Sequence, residues 1–291
     1  MTVHQIGSNI ELRGVEYFRI EQIFDCGQTF RFDPTVRTDG TVAVSGIALG
    51  RRLELEQSGD RVLICNMSTK ELNASFRRYL ALDDDYSAIR RELVTGHGQD
   101  SVMEAAMRCG SGIRILHQDP WEALCSFIVS QNNNIPRIKG IISRMCEHFG
   151  ERIDGGYAFP TAQSLSAAGA EAIFACGTGF RAKYIADAAE RITSGDVDLD
   201  EVAELPTPQA SELLRRIKGV GPKVAACALL FGFGKTDAFP IDVWVKRVLA
   251  KYYPPKFDPS VFGRYAGLAQ QYLFYYERCG GSAEQHDSAA E

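Results

Sequence analysis

The sequence predicts an α+β protein in which a β-rich N-terminal domain is followed by a mostly α-helical domain. Apolar and polar residues alternate along 41–65, TVAVSGIALGRRLELEQSGDRVLIC, with turn signals at Asp39-Gly40 and Ser58-Gly59-Asp60, a pattern typical of a half-buried antiparallel sheet. From about Glu71 onward, apolar residues recur at the i, i+3, i+4 spacing of amphipathic helices. We expect the sheet domain at 1–95, the helical domain at 96–280 and a disordered polar tail at 281–291.

Each predicted element has its own pattern. Strands are expected from residue 10 to about residue 70, where the alternation and the turn signals lie. The helical spacing is carried by ELNASFRRYLAL, WEALCSFIVSQ, RIKGIISRMCEHF, SELLRRI, KVAACALLF, VWVKRVLAKYY and YAGLAQQYLFYYE. The final residues, GSAEQHDSAAE, are polar and carry no apolar period, which is typical of disorder.

Composition places the chain among ordinary globular proteins. Of 291 residues, 45% are hydrophobic and 24% are charged, and no apolar run approaches the ~18 residues that span a membrane. The first residues lack the apolar stretch of a secretion signal. We therefore expect a cytoplasmic protein, nucleoid-associated in a bacterium, without a membrane segment. The eight scattered cysteines predict buried free thiols and no metal site.

The net charge of −5 argues against a protein that binds nucleic acid strongly without specificity. Basic residues nevertheless gather in four segments of the helical domain. Local patches of this kind can bind phosphates on an acidic protein. The segments are Arg137–Arg144, Arg181–Lys183, Arg215–Lys223 and Lys246–Lys251.

The segment KGVGPK, residues 218–223, predicts a tight hairpin between two helices. SELLRRI ends at Lys218-Gly219, and Gly219-Val220-Gly221 allows a sharp reversal because glycine accepts positive φ. Pro222 suits the first turn of the next helix. The free N–H groups of that helix start can bind a phosphate. The alternative is a plain corner between helices.

Lys223 is an unusual residue at the start of an apolar helix. It shares a helix face with Cys227, and Phe231 extends that face. The amine thus ends an apolar stripe, where desolvation favours its neutral, nucleophilic form. Asp242 precedes VWVKRVL and is predicted to cap that helix. The same carboxylate can also act as acid, base or electrostatic stabiliser beside the amine.

Three further segments admit both a structural and a functional interpretation. The asparagines of SQNNNIPR can cap a helix, or they can fill the gap left by a flipped base. In GTGFRAKY, Phe180 follows a glycine turn, either as a core residue or as a wedge in a base stack. Gln270 and Phe274 share a helix face, either of an ordinary amphipathic helix or of a pocket wall that binds a base.

Together these motifs resemble the helix–hairpin–helix DNA glycosylases, and within them the 8-oxoguanine DNA glycosylase/AP lyases. The resemblance is carried by GVGPK followed by FPID, and by GQTFRF, DPWEALCSFIVSQNNNIPRI, GFRAKY and YAGLAQQYLF, so it covers nearly the whole chain. The four-cysteine iron–sulfur loop of the endonuclease III branch is missing from the sequence, which favours the 8-oxoguanine branch. The resemblance implies that the second domain is a helix–hairpin–helix glycosylase domain.

The resemblance also implies roles for residues of a base pocket. The carbonyl of Gly27 would face N7 of the oxidised base, and glycine suits this position because no side chain blocks the backbone. A simple turn before a strand is the alternative. Gln270 would read the Watson–Crick edge, and Phe274 and Cys227 would sandwich the purine. Phe231 replaces a frequent methionine near this pocket.

On the DNA side, the resemblance implies that Asn132 fills the gap beside the orphaned partner base and that Asn133 supports it. Arg137 would read that base, because a guanidinium donates in a fixed fork that suits the two acceptors of cytosine. Arg181 matches a second arginine at the partner base, and Phe180 matches the wedge. Trp244 stands where the family often has a histidine that contacts a phosphate. The remaining DNA contacts are expected at Gly219, Val220, Gly221 and Val224.

The expected function is that of a bifunctional glycosylase/AP lyase acting on double-stranded DNA that contains an oxidised guanine, preferably opposite cytosine. Lys223 would displace the base and form an imine that permits β-elimination, with Asp242 stabilising positive charge on the sugar. The resemblance implies a monomer that needs no metal or organic cofactor. One alternative is a glycosylase for another damaged purine, such as an alkylated base. The other is a noncatalytic helix–hairpin–helix module. Lys223 argues against the first, and the Lys223–Asp242 pair and the pocket residues argue against the second.

Overall fold

The computed structural model describes residues 1–95 and 100–280. The predicted tail at 281–291 lies outside the described residues, and the predicted domain boundary after residue 95 falls beside the undescribed residues 96–99. The predicted α+β architecture is confirmed: an antiparallel sheet comes first along the chain and a helical region follows.

The N-terminal sheet has six antiparallel strands in the order β1-β2-β6-β5-β4-β3. Its two predicted turns are present, since Gly40 (φ +81°) connects β3 to β4 and Gly59 (φ +60°) connects β5 to β6. Val44 pairs with Leu55 across β4 and β5, and both side chains are buried. The strands are β1 (Thr2–Ile6), β2 (Asn9–Arg13), β3 (Phe32–Val36), β4 (Val42–Ala48), β5 (Arg51–Ser58) and β6 (Arg61–Ile64).

Two elements of the sheet region were not predicted. Strand β1 begins at Thr2, but its side chains are mostly exposed, so it carries no alternating pattern. Helix α1 (Ile20–Asp25) interrupts the region expected to be strand, and its apolar residues Ile20, Ile23 and Phe24 pack into the core of the sheet. Six residues are too few to establish a helical period in the sequence.

The helical region contains the predicted helices. A two-stranded hairpin, β7 (Arg152–Ile153) and β8 (Gly156–Tyr157), lies within it. Helical turns with other hydrogen-bond spacings occur at Leu72–Phe76, Phe174–Thr178, Gly179–Arg181 and Pro259–Tyr265. The α-helices after α1 are α2 (Thr69–Glu71), α3 (Arg77–Tyr79), α4 (Tyr86–Thr95), α5 (Ser101–Cys109), α6 (Pro120–Ser130), α7 (Ile135–Phe149), α8 (Ala162–Ile173), α9 (Ala182–Ser194), α10 (Leu199–Glu204), α11 (Thr207–Leu214), α12 (Pro222–Phe231), α13 (Val243–Tyr252) and α14 (Ala266–Arg278).

Two hydrophobic cores form, one under the sheet and one among the helices, and the chain passes between them at residues 24–32. Phe24 and Phe32 pack in the sheet core, whereas Cys26 and Phe30 pack in the helical core. Gly27 therefore lies where the N-terminal region enters the helical one. Helix α4, placed by the sequence in the first domain, also packs its buried face in the helical core. A division of the chain after residue 95 stays a prediction.

The cysteines agree with the sequence analysis. All eight are free thiols, and six of them are buried. Within 1–95 and 100–280, no helix is long and apolar enough to cross a membrane. No group of three or more histidine, cysteine or acidic side chains in those ranges could hold a metal ion.

Candidate active site

The glycine hairpin connects α11 to α12. Gly219 has φ +80° and lies against Tyr184 of α9 so closely that a Cβ at this position would be 2.3 Å from the ring. Gly221 differs from the expectation, because its backbone is extended and a Cβ there would meet nothing within 4 Å. Pro222 occupies the first turn of α12, as predicted. Of the two hairpin glycines, only Gly219 must be glycine, for both conformational and steric reasons.

A cavity of about 160 Å³ opens beside this hairpin. It brings together residues from the N-terminal region, α6, α12, α13 and α14, which are far apart in the sequence. The predicted residues among its lining are Gly27, Asn133, Lys223, Cys227, Phe231, Asp242, Trp244, Gln270 and Phe274. The proposed catalytic pair and every predicted base-binding residue therefore line one cavity.

Lys223 is half-buried at the start of α12. Its Nζ lies 3.4 Å from Oγ of Ser130 and 5.3 Å from the centroid of the Phe127 ring. The Phe127 ring also stacks on Phe231, with centroids 5.2 Å apart. The amine is therefore held at the edge of an aromatic wall, with a hydroxyl as its hydrogen-bond partner.

Two thiols lie at the same cavity. Burial raises the pKa of the Cys26 thiol to about 11. Burial also raises the pKa of the Cys227 thiol, although the nearby Lys223 amine opposes that shift. Since a thiolate is the nucleophilic form of cysteine, these raised pKa values disfavour both thiols as nucleophiles near neutral pH.

Asp242 caps α13, as its position before VWVKRVL predicts. Its Oδ1 accepts a hydrogen bond of 2.8 Å from the backbone N–H of Val245. The capping bond uses one carboxylate oxygen, and the half-buried carboxylate still lines the cavity. The capping and functional interpretations are therefore compatible.

The segment around Gly27 is held from two sides. Gly27 itself has φ +78°, and its carbonyl oxygen accepts no hydrogen bond from the described residues. Before it, the Cys26 carbonyl accepts a hydrogen bond from the side-chain amide of Gln271. After it, the buried Gln28 amide donates to the carbonyl of Arg114 at 2.8 Å. Neither glutamine was singled out in the sequence, because isolated amides on apolar helices or turns carry no distinctive pattern.

The predicted DNA-contacting residues near α7 divide into exposed and supporting ones. Asn132 is exposed and has φ +47°, an uncommon conformation that asparagine tolerates. Asn133 is half-buried and donates to the carbonyl of Val129 at 3.1 Å. Arg137 is exposed at the start of α7, whose N-cap is Asn134.

Arg181 differs from the expectation of an arginine free to contact a partner base. It is 2% exposed, and its guanidinium donates to the backbone carbonyls of Thr178, Gln131 and Asn132. Burial and the neighbouring Arg137 lower its pKa. Phe180, in contrast, is 52% exposed, so it is not the core residue of the structural alternative. Arg181 in this structure holds the loop that carries Asn132.

Two valines at the hairpin, both predicted to contact DNA, have buried side chains. Val220 and Val224 are 5% and 2% exposed, and both pack in the helical core. The backbone N–H groups at the start of α12 are therefore the better candidates for a DNA contact at this position. Trp244 is exposed at the cavity mouth, and the guanidinium of Arg247 lies 5.0 Å from its ring centroid.

Comparison with known protein families divides the chain into two matched parts. Residues 12–124 match the N-terminal domain of 8-oxoguanine DNA glycosylase. Residues 125–261 match the HhH-GPD superfamily of base excision DNA repair proteins. The chain is 30% identical to an N-glycosylase/DNA lyase of Arabidopsis thaliana over 281 residues, which cover 87% of this chain and 76% of that protein.

Solved structures show the same likeness. The 8-oxoguanine glycosylase/lyase of Clostridium acetobutylicum, in complex with double-stranded DNA containing cytosine opposite 8-oxoguanine, superposes with a TM-score of 0.87 at 36% identity. The match covers 97% of this chain and 99% of that chain. A 3-methyladenine DNA glycosylase from Archaeoglobus fulgidus has a TM-score of 0.68 at 21% identity, covering 92% of this chain and 98% of that one. This second likeness shows a shared fold.

Proposed function

This chain belongs to the 8-oxoguanine N-glycosylase/DNA lyase family, and from that premise we propose how its cavity recognises and releases the damaged base. It is a bifunctional enzyme of base excision repair that acts on 8-oxoguanine in DNA. The observation that carries the proposed mechanism is the position of the Lys223 amine on the wall of a cavity whose other walls include Gly27, Gln270 and Phe274.

Lys223 is the nucleophile. Its Nζ attacks the anomeric carbon of the flipped nucleotide, and the bond from that carbon to the base breaks with its electron pair leaving on the base. Loss of a proton from the nitrogen and opening of the sugar ring yield an imine, which permits β-elimination of the 3′ phosphate. Asp242 stabilises the positive charge that develops on the sugar. The carboxylate at the same cavity supports this assignment.

Gln270 reads the Watson–Crick edge of the base. Its Oε1 is buried and has no hydrogen-bond partner within the described residues. A buried acceptor without a donor costs free energy, so a base N–H placed there would be favourable. Phe274 and Cys227 sandwich the purine, and Phe231 stacks on Phe127 behind them.

Gly27 distinguishes 8-oxoguanine from guanine. The two bases share a Watson–Crick edge but differ at N7, which is an acceptor in guanine and an N–H donor in the oxidised base. Gly27 lines the cavity, and its carbonyl accepts no hydrogen bond from the described residues. This carbonyl would accept a hydrogen bond from the N7–H of 8-oxoguanine and repel the N7 lone pair of guanine.

Arg137 reads the orphaned base and sets a preference for cytosine. Its exposed guanidinium can donate to O2 and N3 of cytosine, whereas thymine and adenine present a donor there. Asn132 fills the gap left by the flipped nucleotide, and Phe180 is the wedge. Arg181 can join Arg137 at the base only by exchanging some of its present carbonyl contacts for base acceptors.

The enzyme works as a monomer in the cytoplasm, at the nucleoid in a bacterium. Every group of the proposed mechanism comes from one chain, which supports a monomer. Light scattering with and without a lesion-bearing duplex would test this, and a dimer in both samples would contradict it.

Borohydride trapping tests the central assignment. Incubation of the enzyme with a duplex carrying 8-oxoguanine opposite cytosine, in the presence of borohydride, should give a covalent protein–DNA adduct because the imine is reduced. Lys223→Gln should abolish the adduct, while the exposed Lys246→Gln should retain it. Undiminished trapping by Lys223→Gln would exclude the assignment. A parallel duplex with an alkylated purine tests the alternative substrate class.

A further inference from the structure

Gln271 connects the two walls of the base cavity. It lies on α14 between Gln270 and the turn that carries Phe274, and it is 2% exposed. Its side-chain amide donates to the carbonyl of Cys26, the residue before Gly27. Three residues later on α14, the Phe274 ring lies beside Gly27, since a Cβ built on this glycine would be in van der Waals contact with Cε1 of the ring at 3.4 Å. Helix α14 therefore holds the Gly27 segment at two points.

The far side of Gly27 is also anchored. The Gln28 side chain is buried, and its Nε2 donates to the carbonyls of Ile23 and Arg114, both at 2.8 Å. Its Oε1 accepts from the backbone N–H of Leu116 at 2.8 Å. These bonds tie Gln28 to the protein core. They do not connect it to α14. The position of Gly27 relative to the other base-reading groups therefore depends on Gln271.

A glycine needs such anchors. Without a Cβ, Gly27 can adopt many backbone conformations. A carbonyl without a fixed orientation could not distinguish a donor from an acceptor at N7 of the base. Peptide units are planar, so fixing the Cys26 carbonyl orients the peptide that enters Gly27. Fixing Gln28 restricts the peptide that leaves it. The carbonyl of Gly27 belongs to this second peptide.

We infer that Gln271 is a positioning residue for base recognition, which holds the Gly27 carbonyl in register with Gln270 and Phe274. The inference rests on the proposed function of Gly27 as the group that reads N7. Recognition groups must be held within about 0.5 Å of the productive geometry. Loss of the Gln271 donor leaves the Cys26 carbonyl without this hydrogen bond and allows the Gly27 segment to move away from α14.

The test compares two buried glutamines. Gln271→Met removes the amide but keeps the length and apolar volume of the side chain. Gln22→Met is the matched control, because Gln22 is equally buried and bridges the Cys109 carbonyl (3.0 Å) and the Gly112 N–H (2.7 Å) outside the cavity. Both variants remove a buried side-chain amide that hydrogen-bonds a distant segment, so a general loss of stability is expected in both.

The measured quantity is the ratio of two single-turnover rates, 8-oxoguanine excision and cleavage at a preformed abasic site in the same duplex. We expect Gln271→Met to lower this ratio about tenfold, the effect of one lost hydrogen bond, and Gln22→Met to leave it unchanged. An unchanged ratio in Gln271→Met, or an equal fall in both variants, would overturn the inference. Wild-type enzyme that fails to excise 8-oxoguanine would instead overturn the proposed function.

A second variant keeps the test decisive if Gln271→Met does not fold. Gln271→Glu preserves the length of the side chain, and its carboxyl can donate to the Cys26 carbonyl only when protonated. The excision-to-cleavage ratio, taken relative to wild type at each pH, should therefore be higher at acidic than at alkaline pH. A ratio that matches wild type at every pH would contradict the proposed role.

Discussion

Gly27 and Phe274 lie beside each other at one cavity, although one is near the start of the chain and the other near its end. A Cβ built on Gly27 would be in ordinary van der Waals contact with the Phe274 ring, 3.4 Å and 3.5 Å from two of its carbons. The backbone at Gly27 also has φ +78°, a conformation that other residues rarely adopt. Glycine is therefore favoured at this position for a conformational reason.

Gly27→Ala should impair recognition of the damaged base. Alanine is strained at φ +78°, and relief of that strain shifts the carbonyl, so we expect 8-oxoguanine excision to fall by about 10² or more. Cleavage at a preformed abasic site needs no base pocket and should be retained. Single-turnover assays on the two substrates measure this. If both activities fall together, or neither falls, Gly27 does not read the base.

Asp242→Asn should separate the structural role of this residue from its chemical one. The amide oxygen can still accept the Val245 N–H and cap α13, so folding and DNA binding should stay near normal. Base excision should fall by about 10²–10³ because preorganised charge is lost. Asp258→Asn is the matched control, since Asp258 caps another helical turn through Ser260 N–H. Normal excision by Asp242→Asn would show that the carboxylate only caps the helix.

Replacement of Arg137 by leucine should flatten the dependence of excision on the opposite base. Its guanidinium is exposed, whereas that of Arg181 is occupied by backbone carbonyls. Excision measured opposite all four bases should lose its cytosine preference by more than binding weakens. An equal loss opposite every base would make Arg137 a phosphate contact. Arg181→Leu should in addition destabilise the fold, because three loop carbonyls lose donors.

Gly219→Ala should weaken DNA binding by distorting the hairpin. A Cβ would lie 2.3 Å from the Tyr184 ring, and φ +80° is itself strained by about 1–3 kcal/mol for a residue other than glycine. Tyr184→Leu removes the rigid ring, so the double variant should regain part of the lost binding. A double-mutant cycle on abasic-site binding measures the coupling. Additive effects would show that Tyr184 does not constrain the hairpin.

Stability should decline as pH rises through about 7 because of Glu122. Burial raises the pKa of this carboxyl from 4.5 to about 7, although Arg31 at 3.3 Å opposes the shift. A group whose pKa is raised on folding stabilises the protonated protein, so its contribution is complete below about 4.5 and is lost as pH approaches 7. Each pKa unit corresponds to about 1.4 kcal/mol, so the change amounts to a few kcal/mol.

Denaturant unfolding between pH 5 and 8 measures this effect. Glu122→Gln should remove most of that slope, since an amide does not titrate and can still accept from Arg31. Glu190→Gln, on the exposed face of α9, should leave the slope unchanged. A wild-type free energy of unfolding that is flat across this range would contradict the raised pKa.

Much of the fold and part of the site follow from local patterns in the sequence. The alternation at 41–65 determines strands β4 to β6, because one face of each strand must be buried and slippage by one residue would expose it. Lys223, Cys227 and Phe231 share a helix face because of the helix period alone. Asp242 caps α13 for an equally local reason, the unpaired N–H groups of the first turn.

Burial and contact between distant segments were decided only by the tertiary structure. Val224 stands one residue after Lys223, yet its side chain enters the core. Arg181 follows the exposed Phe180, yet its guanidinium is buried against the carbonyls of a loop some fifty residues earlier in the chain. No short-range pattern distinguishes such neighbours, because burial depends on which other elements pack against a helix end.

The base pocket shows the same division. From local spacing alone, the sequence determined an amine at the end of an apolar helix stripe, a carboxylate that caps the next helix, and an amide and an aromatic ring on one helix face. The approach of Gly27 to Phe274 and the hydrogen bond from Gln271 to Cys26 join the two ends of the chain. Such contacts exist only because the chain passes from the sheet core into the helical core at residues 24–32, a path that packing decides.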